Sequence, residues 1–345
     1  MILQSRPQLR LLGKILATGG VLALLLSAVG WESVALVIAG TALPWLVISY
    51  AVHLVRRWID AVQMSLILRL VGLRTSVERV FLANALSTFY DLILPTGIVA
   101  TAAKWLNLSG ATGERPVTLN AVLFNRVVIL APILLLGCLA LVWENPFESA
   151  ALPIVLLLVL TCAGCLAALA YHPRLGVIGD GVALSITARL PKAVGKPLTK
   201  LVGALSPFRA LRPIQHLLLL VIASCGFLVQ VVSMWCLVLA LHLDVPVLVL
   251  AWALALLSVS RQIPLTIGNL GVREGLLVLA LAPYGVNLGA AVALGLLSWT
   301  RQLAIAVIGA GYQAALTLGW AQWRSEPPTA APGEAVEDLA MRSRG

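Results

Sequence analysis

The sequence predicts an all-α polytopic membrane protein, with six full transmembrane helices and two oppositely inserted broken (re-entrant) hairpins, about eight hydrophobic segments in all. Three observations predict it. Of 345 residues, 60% are hydrophobic and 11% charged, and the mean hydropathy is +0.99. A soluble chain carries about 25% charged residues because its surface must be wetted. Six runs reach the ~20 residues that cross a hydrocarbon core, at 11–30, 33–52, 117–142, 150–171, 215–241 and 288–320. The cations, finally, are segregated among the connections between these runs.

That segregation orients the chain. Residues 1–14 hold Arg6, Arg10 and Lys14 without an acid. Residues 53–79 hold Arg56, Arg57, Arg69, Arg74 and Arg79, and residues 172–214 run from Arg174 through Lys192, Lys196 and Lys200 to Arg212. The connections near Glu32, Glu144 and Glu148, Asp244, and 283–288 contain no Lys or Arg. Basic flanks stay cytoplasmic, so the first group lies inside and the second outside, with both termini cytoplasmic. Residues 80–108 must then enter and leave from the cytoplasm, and 246–284 from the outside.

Both of these stretches are interrupted. The first reads Asp91-Leu-Ile-Leu-Pro95-Thr-Gly97, and the second runs from Arg261 through Pro264, Gly268 and Gly271 to Gly275. Pro95, Gly97, Pro264, Gly268 and Gly271 are the expected helix breaks and hinges. Irregular backbone at membrane depth is tolerated where protein or a water-filled cavity satisfies it. Broken elements inserted from opposite faces are what an inverted repeat produces, with a site near the midplane. Sequence likeness between the breaks is thin: Leu94-Pro95-Thr96-Gly97 against Ile263-Pro264-Leu265-Thr266-Ile267-Gly268.

The basic segments have a character of their own. Arg56-Arg57-Trp58 with Leu66, Ile67, Leu68 and Leu70 predicts a helix along the cytoplasmic interface over 53–79, its cations on lipid phosphates. Residues 1–324 form one transmembrane domain, and the Pro-, Ala- and Glu-rich tail 325–345 is expected to be disordered and cytoplasmic.

Several chemistries are disfavoured. The five cysteines lie inside apolar runs, and Cys162-x-x-Cys165 sits mid-segment, where small residues serve helix contacts. The four histidines are scattered, so neither a metal nor a redox site is expected. No G-x-x-x-x-G-K-[ST] occurs, no cofactor is implied, and nothing points to nucleic acid.

The ionisable residues within apolar runs are Asp91, Lys104, Arg126, Arg261, Arg273, Glu274 and Arg301. Each costs roughly 2.5–3.5 kcal/mol to insert, so each needs a partner, water or a function. Five cations face two carboxylates, and the surplus suits an anion. The planar guanidinium fork donates two parallel bonds to phosphate. Backbone N–H groups after Gly268 or Gly271, beside Asn269, would add donors. Other readings stand beside these. Arg273 and Glu274 form either an ion pair or a site, Arg126, Lys104 and Arg261 either snorkel or bind, and Asp91 either binds or caps freed N–H groups.

Ile263-Pro264 through Gly268-Asn-Leu-Gly271-Val-Arg273-Glu274-Gly275, followed by Tyr284-Gly285-Val286, resembles the GG-x-G-x-R-E region of the lysylphosphatidylglycerol synthase transmembrane, or flippase-like, family. Asn84, Leu94-Pro95-Thr96-Gly97, Lys104 and Asn125-Arg126 look like its first motif. Where that motif tends to read P-x-G-x-x-G-E-x-x-R, this chain has Ala100, Thr101 and Lys104, losing a carboxylate and a bidentate donor. The resemblance implies movement of anionic, amino-acylated or polyprenyl-linked lipids between leaflets. Some members carry a fused aminoacyl-transferase domain; the short tail here implies translocation without synthesis.

The expected protein is therefore a bacterial inner-membrane lipid translocase, a transporter and not an enzyme. Its headgroup site would be Arg273, Arg301 and Arg126, with Glu274 orienting Arg273 or binding a headgroup amine. The alternatives are an intramembrane lipid-modifying transferase and a scaffold for a separate lipid or glycan synthase.

Overall fold

A computed structural model describes residues 31–93, 97–146, 151–171, 181, 199, 204–261 and 271–318. The expectations for 11–30, for most of 172–203, for Pro95, Pro264, Gly268 and Asn269, and for the tail lie outside the described residues. Among the described residues every regular element is helical. In chain order these are α1 (Trp31–Ala39), α2 (Leu43–Leu70), α3 (Val77–Ile93), α4 (Gly97–Thr112), α5 (Arg115–Trp143) and α6 (Ala151–Tyr171). A short α7 (Ser206–Arg209) precedes α8 (Pro213–Ala240), α9 (Val247–Ser260), α10 (Val272–Leu281), a 3-10 turn (Ala282–Tyr284) and α11 (Leu288–Thr317).

By length and composition, α5, α8 and α11 are each able to cross a membrane. They coincide with the expected spans 117–142, 215–241 and 288–320, and α6 coincides in extent with 150–171. The expected span 33–52 is corrected. The chain leaves helix at Gly40–Ala42, and α2 then runs 28 residues without a break, through the region expected to lie along the interface. Pro44 starts this helix in its first turn, and no Gly or Pro follows before residue 70. Gly72, at φ 85°, stops it, and the Leu73 N–H reaches back to the Leu68 carbonyl at 2.8 Å. The apolar run fades at His53 because the polar residues after it face inward.

The element order then repeats. A long helix, a packed pair of short ones and a second long helix make α2–α5, and the same series makes α8–α11. Pro213 comes 170 residues after Leu43, and Val247 comes 170 after Val77. The turn after α8 repeats the one after α2: His242 has φ 53°, and the Leu243 N–H meets the Val238 carbonyl at 3.0 Å. The short pairs close at Gly113 (φ 74°) and Gly285 (φ 72°).

The two halves are antiparallel. The Ala42 N–H donates to the Ala240 carbonyl at 2.8 Å, and Ser49 lies against Ser233. Further along, Arg56 meets Gly226, its own counterpart 170 residues on. Contacts between halves are exchanged in the same way. Gly137 of α5 packs on the Ala255 methyl of α9, and Gly309 of α11 packs on the Ala85 carbonyl of α3. Ala255 is 170 residues after Ala85, and Gly309 is 172 after Gly137. Small residues let helix backbones approach closely where lipid supplies no hydrophobic drive. Gly309→Val is expected to cost about 1–3 kcal/mol or more, since it meets rigid backbone, and Gly137→Val less, since it meets a side chain. Denaturant unfolding in micelles measures both.

Beside a small cluster of Val34, Val292 and Ala293, two large apolar clusters fill the bundle. One gathers around Trp252, Leu254, Leu237 and Leu294, the other around Met64, Ile67, Phe81 and Phe208. The outward faces of the long helices carry exposed Leu135, Leu139, Leu217, Val221 and Val307, a surface suited to lipid. The Tyr284 hydroxyl donates to Glu144 Oε1 at 3.4 Å, so the connections after α5 and α10 share one end of the bundle.

Candidate functional site

Helix α2 carries His53, Arg56, Arg57 and Asp60 at spacings of three and four, which puts them on one face. Arg56 is the fourteenth residue of α2, and Arg301 the fourteenth of the 30-residue α11. At 1.5 Å per residue, each lies about 20 Å from its helix start. These faces line a cavity of about 90 Å3, enough for several waters. Helix α8 adds Gln230 and Met234, α9 delivers Arg261 at its end, α10 delivers Arg273, and α11 adds Ser298 and Gln302.

The charges around this chamber do not balance. Arg56, Arg57, Arg261, Arg273 and Arg301 line it against one carboxylate, Asp60. Asp60 is paired with Arg56, one turn earlier on the same helix.

Neutral groups hold the remaining guanidinium groups. Arg301 is 6% exposed. Its Nη1 donates to Ser49 Oγ at 3.1 Å and to Ser233 Oγ, and its Nη2 approaches Met234 Sδ at 3.6 Å. The two serines are themselves locked together: Ser49 Oγ donates to the Ser233 carbonyl at 2.7 Å, and Ser233 Oγ to the Ser49 carbonyl at 2.9 Å. Arg273, 2% exposed, and Arg261, exposed at the rim, share one oxygen. With the Gln302 amide oriented to satisfy its neighbours, its Oε1 accepts from Arg261 Nη2 at 2.7 Å and from Arg273 Nη2 at 3.1 Å. Arg273 Nη1, Arg301 Nε and Arg56 Nε are buried without a partner. Buried donors of this kind are costly, and each calls for a partner such as water or an ion.

The chemistry available is anion recognition by converging guanidinium forks in a confined polar space. The family model described as Lysylphosphatidylglycerol synthase TM region matches residues 11–309, which contain the whole chamber. The chain belongs to this family. No curated protein and no solved structure matches the chain.

The Arg-Glu pair that carries the resemblance to this family divides its work. Arg273 turns to the chamber, whereas Glu274, fully buried, turns back. Glu274 Oε2 accepts from the Gly271 N–H at 2.6 Å, capping the start of α10, where a negative charge is favoured. Its side chain presses on Gly295 of α11, where a Cβ would stand 2.8 Å from Glu274 Cγ. Gly271 has φ 82°, a conformation that side chains disfavour. Glu274 thus neither lines the chamber nor makes a salt bridge with Arg273. Of the Glu274 carboxylate, Oε2 caps the helix terminus while Oε1 is buried without a partner.

The remaining members of the expected set lie beside the chamber. Arg126 is exposed and donates to Thr101 Oγ1 of α4. Lys104, half-buried on α4, is within electrostatic reach of Arg126 and Arg57. Asp91, exposed near the end of α3, is within such reach of Arg57, Arg126, Arg261 and Arg273. Gly97 is the first residue of α4. Arg261, Arg273 and Arg301 are therefore brought together, while Arg126 and Lys104, within electrostatic reach of each other, lie outside the lining.

Sequence reasoning missed Arg56, Arg57 and His53 as chamber residues, and it missed Gln302 and the serine pair. The 53-56-57-60 spacing was the available signal for the first. Gln302 had only its adjacency to Arg301.

Proposed function

We propose that this family member moves a phosphate-bearing lipid between the leaflets of a bacterial inner membrane. The single observation that carries the reading is the midway chamber with five arginines and one, already paired, carboxylate. Uncompensated cations at bilayer depth are costly, and a lipid phosphate offsets that cost while its tails remain in hydrocarbon. Arg273 and Arg301 would hold the phosphate, with Arg57 and Arg261 at the sides. The basic group of Lys104 and Arg126 would receive it on the way.

The fold supports movement as well as binding. In this reading the α3–α4 pair and the α9–α10 pair are the two hairpins, dipping from opposite faces between six spans, with both termini cytoplasmic. The antiparallel halves then form an inverted repeat, and alternating access arises when one half adopts the geometry of the other.

The test uses proteoliposomes containing a fluorescent phospholipid whose outer-leaflet signal is bleached chemically. Transport predicts that bleaching proceeds beyond the outer-leaflet half in the presence of the protein. Bleaching that stops at the level of protein-free liposomes, for anionic phospholipid and polyprenyl phosphate alike, would overturn the reading.

A further inference from the structure

Resting on the transport reading above, the geometry points to a headgroup ending in a phosphomonoester or diphosphate, with at least two negative charges, and not to a phosphodiester or amino-acylated one. We infer this from the charge and the hydrogen-bond partners of the chamber together. Once Asp60 is assigned to Arg56, the guanidinium groups of Arg57, Arg261, Arg273 and Arg301 remain without a carboxylate salt bridge among the described residues. Their partners are a ring nitrogen, two hydroxyls, a thioether and a carboxamide. These groups fix the guanidinium positions and leave the positive charge intact.

A phosphodiester has one negative charge on two free oxygens, which one guanidinium fork satisfies. It would leave three cations facing one another. A phosphomonoester offers three terminal oxygens and close to two charges at neutral pH, and a diphosphate offers more. Two unpartnered buried donors, Arg273 Nη1 and Arg301 Nε, belong to lining residues on the neighbouring helices α10 and α11, close enough together for a multidentate anion to engage both side chains.

An amino-acylated or aminoethyl headgroup needs a carboxylate for its ammonium, and the chamber has none to give. Glu274 does not line the chamber: its Oε2 caps the Gly271 N–H, its Oε1 is buried without a partner, and its side chain packs on Gly295. Asp60 is held by Arg56, and Asp91 lies outside the lining.

The experiment compares four probes on the full-length protein in detergent micelles by displacement of a fluorescent alkyl phosphate. Hexadecyl phosphate, hexadecyl methyl phosphate and hexadecyl 2-aminoethyl phosphate share one tail and differ in headgroup charge; inorganic phosphate has no tail. Hexadecyl phosphate is expected to bind about tenfold or more tighter than its methyl diester, the worth of one charged hydrogen bond, with the aminoethyl diester weaker still. Arg273→Gln should narrow the gap between monoester and diester, and Arg57→Gln, at a half-buried position, should narrow it if the first variant unfolds. Equal binding of monoester and diester, or tighter binding of the aminoethyl probe, overturns the inference and leaves the transport reading standing. Inorganic phosphate binding as tightly as hexadecyl phosphate, or no binding by any probe, overturns both.

Discussion

Gln302→Glu is expected to make the protein more stable and to stop transport. The Gln302 oxygen already sits 2.7 Å from Arg261 Nη2 and 3.1 Å from Arg273 Nη2, so a carboxylate there needs no new geometry. It would convert two charge–dipole contacts into two ion pairs inside a confined site. Hydrogen bonds between charged groups are worth about 1.5–3 kcal/mol, so a gain of about 2 kcal/mol in unfolding free energy is expected. The same carboxylate would repel a phosphate and occupy the donors that receive it. Lipid movement should fall by about two orders of magnitude. Stability and activity moving in opposite directions is the mark of charge reserved for substrate. A variant that transports normally, or that is destabilised, would contradict the placement of both arginines.

Arg273→Gln is the second large effect. Arg273 is 2% exposed, and its Nη1 has no partner, so its guanidinium is a liability to the folded state until an anion arrives. Glutamine keeps a donor in this region and removes an uncompensated buried charge, so folding should be near normal. Transport should lose the two parallel bonds of the fork, about two orders of magnitude or more in rate. Circular dichroism with thermal unfolding, beside the proteoliposome assay, separates a lost site from a lost fold. Wild-type transport by a folded variant would remove Arg273 from the site.

The long apolar helices α5, α8 and α11 were legible because nothing interrupts their hydrophobic runs. Helix α2 was not, and the reason is physical. Hydropathy counts Arg56, Arg57 and Asp60 as the edge of the membrane, but it does not register which face of a helix they occupy. Here that face is inward, on the chamber, and the cations that were read as touching lipid phosphates instead line a cavity midway along the helix. Charge segregation predicts one side for the connections after α5 and α10, and the Tyr284–Glu144 contact brings them to one end of the bundle.

Arg273 and Arg301 were found by depth in an apolar run, which is a sound signal because inserting a cation is expensive. Glu274 was singled out by the same signal, but its cap on the Gly271 N–H was not, since a capping carboxylate and a binding carboxylate look alike in sequence. An inverted repeat was legible from topology and hardly at all from residue identity. The antiparallel halves share the lengths of their long helices, turn positions and the exchanged Gly137–Ala255 and Ala85–Gly309 contacts, and these hardly register as residue identity.

An electron cryomicroscopy map of the protein in lipid nanodiscs with added hexadecyl phosphate confronts the reserved-charge idea most directly. Phosphate density is expected among Arg57, Arg273 and Arg301, with oxygens about 2.7–2.9 Å from the guanidinium nitrogens. A chamber filled by water alone, with the lipid phosphates resolved only at the membrane surfaces, would contradict it.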